Sequence, residues 1–397
     1  MKLQCQQKKQ KQNIAAENVN KKLQTDCCQA NHRNKKLKIM SLRDVREQIL
    51  FAHNNGVIDD EEFIALFDLN RSRNPDFPYW KYDPFDLDKL SDDECLAMFR
   101  FLKNDIYNLA DVFQLPDKIY CPNRQNFDKV EALCILLRRF AYPSRLGDLI
   151  SLFGRSVPEL SNVVSTMTNY IYWHFGHLLT DMNQPWLSRA KLADYANAIH
   201  QAGAALENCW AFVDGTVRPC SRPGENQRVV YNGHKRIHAI KFQSLVTPNG
   251  MIAQLHGPFE GKKHDSSMLV ESFLYNQLMN NSFSPNGDIL CIYGDPAYPL
   301  RAHLQRPFQG ARLTPLQSLF NKSMSSVRVS VEWVFGDIVN YFKFLDYKKN
   351  LKLGLSPIGK MYLVCGLLHN ARTILYDNTT AKYFNYVEKP TLENYFQ

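Results

Sequence analysis

The spacing of apolar residues predicts helices in the N-terminal part of the chain. Residues 41–135 show helical periodicity, with a Pro- and aromatic-rich interruption at 74–88. Ser91 and Glu94 have the spacing of a capping box, which predicts the start of a helix at that point. We therefore expect a helical N-terminal region over 41–135.

A second helical unit is predicted over residues 136–200. Apolar residues recur at the spacing of one helical face before Gly154, which should end that helix. Ser156 and Glu159 form a further capping box, from which a second helix starts. Two helices joined by a short Gly turn are typical of a helix-turn-helix DNA-binding unit. Because the second helix carries no Lys or Arg before Tyr170, a plain helical hairpin is an equal alternative.

Beyond residue 205 the apolar residues form short runs that are typical of strands. We expect strands at 209–213, 237–246, 252–256 and 289–293, and helices at 267–280, through 327–338 and at 361–376. Gly and Pro residues between the second and third runs indicate a hairpin turn. This order predicts a mixed α/β domain over 205–380, with a mixed sheet flanked by helices and preceded by an all-helical domain.

Charge is concentrated at the N-terminus. Residues 1–40 contain ten Lys or Arg and two acidic residues, although the whole chain of 397 residues has a net charge of +9. Such a polar segment buries too little apolar surface to order itself, so we expect a basic disordered tail. Its Lys clusters fit either a nuclear-import signal or a solvated tail. The sequence has neither a secretory signal nor an apolar run of about 18 residues, so we expect no membrane segment.

Three carboxylates are the candidate catalytic groups. Asp214 and Asp295 each follow a predicted strand and lie beside a Gly, and Glu332 lies on a predicted helix. If they converge, their mutual repulsion favours binding of divalent cations, and oxygen ligands suit Mg²⁺ or Mn²⁺. Two such ions catalyse phosphodiester cleavage in many nucleases. Taken one at a time, each acid is also compatible with a turn or an ion pair.

Four motifs occur in order along this region: FVDGT at 212–216, YNGHKR at 231–236, GDPAYPL at 294–300 and VRVSVEWVFG at 327–336. Together they resemble the DDE nuclease domain of PIF/Harbinger-type transposases. The resemblance implies an RNase H-like fold and makes Asp214, Asp295 and Glu332 the metal-binding catalytic triad. It also implies cleavage of DNA at transposon ends, transfer of the freed 3′-hydroxyl into target DNA, and a location in the nucleus.

Two protein partners are left open, a Myb-like accessory protein and a second copy of the chain. Two other functions are also left open. One is a domesticated DNA-binding or scaffolding protein that no longer cleaves, and the other is a nuclease unrelated to transposition. No nucleotide-binding glycine motif occurs, so we expect no nucleotide cofactor.

Further residues near the triad have two interpretations each. Asp265, in a His-Asp-Ser sequence, is either a helix cap or a fourth metal ligand. Arg328 lies one helical turn before Glu332 and either pairs with it or contacts a substrate phosphate. The segment 218–241 has a local excess of positive charge, which favours contact with the DNA backbone. The predicted DNA-binding residues are Arg218, Arg222, Arg228, Lys235, Arg236, Lys241 and Arg328.

Overall fold

The fold was taken from a computed structural model that describes residues 42–70 and 78–397. These residues belong to two compact units, Met1–Pro78 and Tyr79–Gln397. The division falls within the Pro- and aromatic-rich interruption noted in the sequence. The prediction of a disordered basic tail at 1–40 lies outside the described residues.

The first unit is described as a pair of helices, α1 (Leu42–Asn54) and α2 (Asp60–Leu69). Asp59 caps α2, since its side chain accepts the Glu62 backbone N–H at 2.8 Å. Ile49, Ile58 and Leu66 form a small core between the two helices. Both elements described in this unit are helices.

The second unit begins with helices and a small hairpin. The elements are α3 (Asp92–Phe99), α4 (Lys103–Val112), β1 (Lys118–Cys121), β2 (Gln125–Asp128) and α5 (Lys129–Ala141). Ser91 and Glu94 form the predicted capping box of α3. The antiparallel β1–β2 hairpin corrects the expectation of an all-helical region. Each strand has only four residues, and the sequence there shows no clear alternation of apolar and polar positions.

The predicted two-helix unit is present in a shortened form. A 3₁₀ turn at Leu146–Leu149 leads into α6 (Ile150–Phe153), and Gly154 ends it in a left-handed conformation with φ 60°. The capping box of Ser156 and Glu159 then begins α7 (Val157–Phe175). Two polar side chains of α7 are used inside the molecule, because Asn162 donates to Gln125 and Asn169 accepts from Lys360. These contacts favour the helical-hairpin interpretation, and the DNA-reading role remains a sequence prediction.

A mixed sheet follows the helix α8 (Arg189–Gln201). Its strands are β3 (Cys209–Pro219), β4 (Tyr231–Asn232), β5 (Ile237–Val246), β6 (Ile252–Glu260), β7 (Cys291–Tyr293) and β8 (Leu304–Gln305). The order is β4-β5-β3-β7-β8, with β6 also paired to β5. β3, β5 and β6 are antiparallel neighbours, whereas β7 runs parallel to β3 and β8 parallel to β7. The mixed α/β prediction is confirmed, and the two-residue strands β4 and β8 were not predicted.

Helices surround this sheet. They are α9 (Gln227–Val230), α10 (Asp265–Glu271), α11 (Leu274–Asn281), α12 (Pro315–Tyr341), α13 (Ile358–Leu375), α14 (Thr379–Tyr383) and α15 (Leu392–Tyr395). The helix predicted at 267–280 is divided in two at Phe273, whose φ is 52°. The α8 and α12 helices pack on β3, and α13 packs on β6.

One apolar core runs through the second unit, from Leu87 to Phe396. It includes residues of α5, α7 and α8 together with those of the sheet, so a single core crosses the boundaries near 135 and 205 that the sequence suggested. The helix α13 is buried on almost every side. None of the helices described over 42–70 and 78–397 is long and apolar enough to cross a membrane.

Candidate active site

Asp214 and Asp295 lie near the point where two neighbouring strands separate. The parallel pairing of β3 and β7 ends at Phe212 and Tyr293. Asp214 and Asp295 each come two residues later, so both lie at the same end of this pairing. The strand β3 itself continues to Pro219 beside β5, so the expectation that it ends at Asp214 is wrong. The strand β3 is longer than expected because it pairs with β5 as far as Pro219.

Asp214 is held by two hydrogen bonds and is largely buried. Its Oδ1 atom accepts the Gly215 backbone N–H at 2.8 Å, and its Oδ2 atom accepts from Arg328 Nη1 at 3.2 Å. Burial raises the pKa of Asp214 to about 6, against the opposing effects of Arg328 and the Gly215 N–H. Asp295 and Glu332 raise this pKa further by charge repulsion. The three predicted carboxylates therefore lie within electrostatic reach of one another.

Asp295 follows β7 in a turn that its own side chain stabilises. The Oδ1 atom of Asp295 accepts the Ala297 backbone N–H at 3.0 Å. Arg306 supports the same turn, because Nη1 donates to the carbonyl oxygens of Pro296 and Tyr298, both at 3.1 Å. Burial raises the pKa of Asp295, and the nearby carboxylate of Asp265 raises it further. Arg306 is therefore a structural support of this turn.

Glu332 differs from the two aspartates because its side chain is 58% exposed. Its neighbour Val331 is buried, and the helix turns Glu332 away from that side. The Oε1 atom of Glu332 lies 3.6 Å from Nη2 of Arg328.

Arg328 connects two of the three carboxylates. It forms the predicted i,i+4 ion pair with Glu332 and also an ion pair with Asp214 that the sequence did not indicate. Its guanidinium neutralises part of the charge that the converging acids create. Within the described residues, no three His, Cys, Asp or Glu side chains lie close enough together to hold one metal ion.

Asp265 lies beside the triad and does not cap a helix. His264 occupies the capping position of α10, and Asp265 is the first residue inside that helix. Its Oδ1 atom accepts from Lys241 Nζ at 2.5 Å. The interpretation of Asp265 as a cap is therefore wrong, because the carboxylate turns toward β5 and the buried Lys241.

The seven predicted DNA-binding residues fall into two groups. Arg222, Arg228, Lys235 and Arg236 are exposed on the connection between β3 and β5. Arg218 is partly buried, and its Nη2 atom donates to Thr216 Oγ1 at 2.7 Å. Lys241 is buried against Asp265, and Arg328 is paired with two acids. The structure therefore leaves four of the seven cations exposed to solvent and uses three in internal contacts.

One buried residue of the site was missed by the sequence analysis. Tyr298 is fully buried, and its hydroxyl has no hydrogen-bond partner within the part of the chain that the structure describes. Burial raises the pKa of Tyr298, as do the charges of Asp265, Asp214 and Asp295. The residue belongs to the GDPAYPL motif at 294–300, which is the signal that could have identified it.

The region that contains this site is similar to a known protein family. Residues 213–370, which contain all three carboxylates, match the family model of the DDE superfamily endonucleases. The resemblance drawn from the four motifs is thereby confirmed, since this part of the chain is similar to the DDE superfamily endonucleases.

The chain is also similar to a curated protein, Protein ALP1-like of Arabidopsis thaliana, with 22% identity over 261 residues. This match covers 63% of the chain and 62% of the relative. The chain thus matches less than two thirds of the relative's length. No solved structure matches the chain significantly.

Proposed function

We propose that the chain is a divalent-metal-dependent DNA endonuclease of the DDE transposase type. In this proposal Asp214, Asp295 and Glu332 form the catalytic triad. The enzyme cuts phosphodiester bonds at transposon ends and transfers the freed 3′-hydroxyl to target DNA. The observation that carries the proposal is that Arg328 pairs with both Asp214 on β3 and Glu332 on α12, while the charge of Asp295 after β7 raises the pKa of Asp214.

The electrostatics of the three acids support a role in binding a cation. Repulsion by Asp295 and Glu332 adds to burial in raising the pKa of Asp214 to about 6. Such a site is costly for folding unless a positive group compensates it. Its oxygen-only donors are of the kind that Mg²⁺ and Mn²⁺ prefer, which are ions that the family implies. When bound, two such ions would activate the attacking oxygen and stabilise the leaving oxygen.

The protein's own residues would orient the carboxylates for this role. The Gly215 N–H holds one oxygen of Asp214, and the Ala297 N–H holds one oxygen of Asp295. Both oxygens of Asp214 and one oxygen of Asp295 are therefore held in place. Arg328 keeps Asp214 and Glu332 together, although they are far apart in the sequence.

The sheet supports an RNase H-like fold for this domain. Its first three long strands, β3, β5 and β6, form an antiparallel meander. The remaining strands β7 and β8 lie parallel to β3 on its other side. In this arrangement β3 is central, which lets it carry Asp214 next to the β7 turn that carries Asp295.

DNA is the proposed substrate, and the exposed part of the basic strip is the proposed contact. Arg222, Arg228, Lys235 and Arg236 would bind the phosphate backbone beside Asp214. A Myb-like accessory protein, a homodimer and a nuclear location remain parts of the proposal. They rest on the sequence and on its resemblance to PIF/Harbinger-type transposases.

Nicking of supercoiled plasmid DNA in Mn²⁺ tests the proposal. The substitutions Asp214→Asn, Asp295→Asn and Glu332→Gln should each reduce nicking by about 100-fold or more, because each removes several kcal/mol of transition-state stabilisation. Asp337→Asn is the matched control, since Asp337 lies on the same helix as Glu332 and outside the triad. It should nick DNA at the wild-type rate.

Nicking that persists in all three variants would reject the triad. Strand transfer is then measured separately, by joining a pre-cut DNA end to the plasmid. A protein that nicks without joining ends would be a nuclease unrelated to transposition.

The second candidate is a domesticated DNA-binding or scaffolding protein that no longer cleaves. It is favoured by one observation, namely that Arg328 already pairs with Asp214 and Glu332. This candidate predicts DNA binding that is independent of Mn²⁺ and unchanged by Asp295→Asn, with no nicking in any metal.

A further inference from the structure

A groove beside the edge strand β6 takes no part in the proposed catalytic mechanism. It has a volume of about 250 Å³ and lies between the C-terminal end of α7, the strand β6 and the first turns of α13. Pockets that hold drug-sized ligands and cofactors are larger, at about 300–1,000 Å³, so this groove suits one ring system of a ligand. The residues that line it include Tyr172, Trp173, His177, Leu255, His256 and Leu363.

Two neighbouring aromatic residues of α7 line this groove, and one of them is strongly exposed. Trp173 is 70% exposed, although tryptophan side chains are largely buried on average in folded proteins. The ring of Tyr172 meets that of Trp173 edge to face, with 5.0 Å between the two ring centres. Accessible aromatic rings are the surfaces on which unpaired nucleic-acid bases stack. The groove therefore offers a stacking surface to a flat aromatic ligand.

The charge beside the two rings is positive. Lys360 of α13 places its Nζ atom 4.7 Å from the ring centre of Trp173 and 5.1 Å from that of Tyr172. Asn169 fixes this ammonium group by accepting a hydrogen bond from it at 2.7 Å. Lys360 has no ion pair within residues 78–397, and no Asp or Glu lines the groove in that part of the chain. An aromatic surface next to an unbalanced cation is complementary to a base that is joined to a phosphate.

His256 adds hydrogen-bonding atoms to the groove. It is partly buried, and burial lowers the pKa of His256 against the opposing charge of Glu271. Glu271 itself is paired with Lys263 at 2.6 Å. The imidazole of His256 is therefore mainly neutral at pH 7, with one nitrogen that donates a hydrogen bond and one that accepts. Such a group matches the edge of a nucleobase, which carries both donors and acceptors.

The groove lies at the same level of the sheet as Asp214. Asp214 on β3 is paired with Ser244 on β5, and Ser244 is paired in turn with Leu255 on β6. Since neighbouring strands are about 4.8 Å apart, the backbones of Asp214 and Leu255 are separated by about 10 Å. A DNA strand bound at Asp214 therefore has the groove within reach of its neighbouring nucleotides.

We propose that this groove binds an unpaired nucleotide of the DNA substrate, whose base stacks on Trp173 and whose phosphate contacts Lys360. The proposal rests on the proposed function, because it takes DNA as the substrate. It adds single-stranded or locally unpaired DNA to the forms of DNA that the protein binds. Trp173 and Lys360 act in binding and lie outside the catalytic triad.

DNA binding by the full chain is measured by fluorescence anisotropy, with a labelled oligothymidylate and a blunt duplex of equal length. Trp173→Ala should weaken binding of the oligothymidylate by about 5- to 150-fold, which corresponds to the loss of one base-stacking contact. Binding of the duplex should remain unchanged, because its bases are paired and cannot reach the ring. Tyr120→Ala is the matched control, since Tyr120 is an aromatic residue on β1 that is 73% exposed. It should bind both DNAs as the wild type does.

Lys360→Gln separates the phosphate contact from the stacking contact. It should reduce the slope of log K against log salt concentration for the oligothymidylate by about 0.7, because one phosphate interaction is lost. Trp173→Ala removes no charge and should keep the wild-type slope. Lys360→Arg keeps the charge and should also show the wild-type slope. A slope for Lys360→Gln equal to that of the wild type would contradict the phosphate contact.

Tryptophan fluorescence shows whether the base reaches Trp173 itself. The oligothymidylate should quench part of the tryptophan emission of the wild type. Trp173→Phe keeps an aromatic ring, so it should bind the oligothymidylate more tightly than Trp173→Ala does, and the quenching should be lost. Quenching of equal size in Trp173→Phe would overturn stacking on Trp173, because another tryptophan would then report the binding.

The outcomes distinguish this inference from the proposed function. If the wild type binds and nicks duplex DNA while Trp173→Ala and Tyr120→Ala bind the oligothymidylate equally, the proposed function stands and the groove is rejected as a nucleotide site. If the wild type binds neither DNA, the inference is overturned and DNA is rejected as the substrate.

Discussion

At the scale of single residues, the site combines acids whose environments differ. Asp214 is largely buried and Glu332 is mostly exposed, yet both pair with the same guanidinium. The raised pKa of Asp214 indicates that the folded protein favours the neutral form of this side chain more than the unfolded chain does. The charged Asp214 side chain is therefore expected to reduce the stability of the folded protein at neutral pH. Such a cost is common where function requires a buried charge.

Asp214→Asn tests this directly in EDTA. The pKa of Asp214 is about 6 when folded, against an ordinary value of 3.8, so the folded state binds the proton more tightly than the unfolded state. Stability should then fall as pH rises from about 4 to about 6, by about 3 kcal/mol for a shift of this size. The Asn variant resembles the protonated acid and should not show this decrease.

The measurement is urea unfolding of both proteins between about pH 4 and about pH 7, the range that brackets the two pKa values. The two proteins should be similarly stable at the acidic end, and the variant should be the more stable at the neutral end. Asp346→Asn, an exposed substitution, is the control and should follow the wild type. A difference between wild type and Asp214→Asn that stays constant with pH would contradict the prediction.

At the scale of elements, the connection between β3 and β5 is the part suited to DNA. Its exposed cations include Arg228 and Arg236, whereas Arg218 and Lys241 at its two ends are fixed by contacts within the sheet region. A surface of this kind binds phosphate groups through charge, with little dependence on base sequence.

The double variant Arg228→Gln and Arg236→Gln should bind DNA more weakly. Each phosphate interaction that the substitutions remove should reduce the slope of log K against log salt concentration by about 0.9. Lys81→Gln with Lys118→Gln removes the same charge at exposed positions elsewhere and is the control. Fluorescence anisotropy with a short duplex at several salt concentrations measures both slopes. Equal slopes for the two double variants would exclude a specific role for this connection.

At the scale of the whole molecule, the nuclease domain and the helices before it share one core. Buried residues of α5, α7 and α8 belong to the same cluster as those of β3 and α12. The residues at 79–204 are therefore part of what makes the domain stable, whatever else they bind. This organisation differs from the separate domains that the change in sequence pattern near 205 suggested.

Two fragments test this organisation. The fragment 79–397 contains the whole core from Leu87 to Phe396, so it should unfold in one cooperative transition when monitored by circular dichroism. The fragment 205–397 lacks the buried faces of α5, α7 and α8 and should not fold. A cooperative transition in the shorter fragment would show that the sheet and its own helices form an independent domain.

Much of the local structure could be predicted from the sequence, because it depends on neighbouring residues. The capping boxes at Ser91 and Ser156 and the left-handed Gly154 are formed by residues within one or two turns. The same holds for the i,i+4 contact of Arg328 with Glu332. The elements that the sequence did not predict were short, such as the β1–β2 hairpin. Strands of this length are recognised only from their pairing in the folded structure.

The sequence by itself determined the mixed α/β class, the order of most elements and the resemblance to DDE endonucleases, since periodicity and motifs are properties of the linear chain. Only the tertiary structure decided which charges are available. It buried Lys241 against Asp265, paired Arg328 with Asp214, left Glu332 exposed and placed Tyr298 near the acids. The physical reason is that burial and ion pairing depend on residues distant in sequence, which the fold alone brings together.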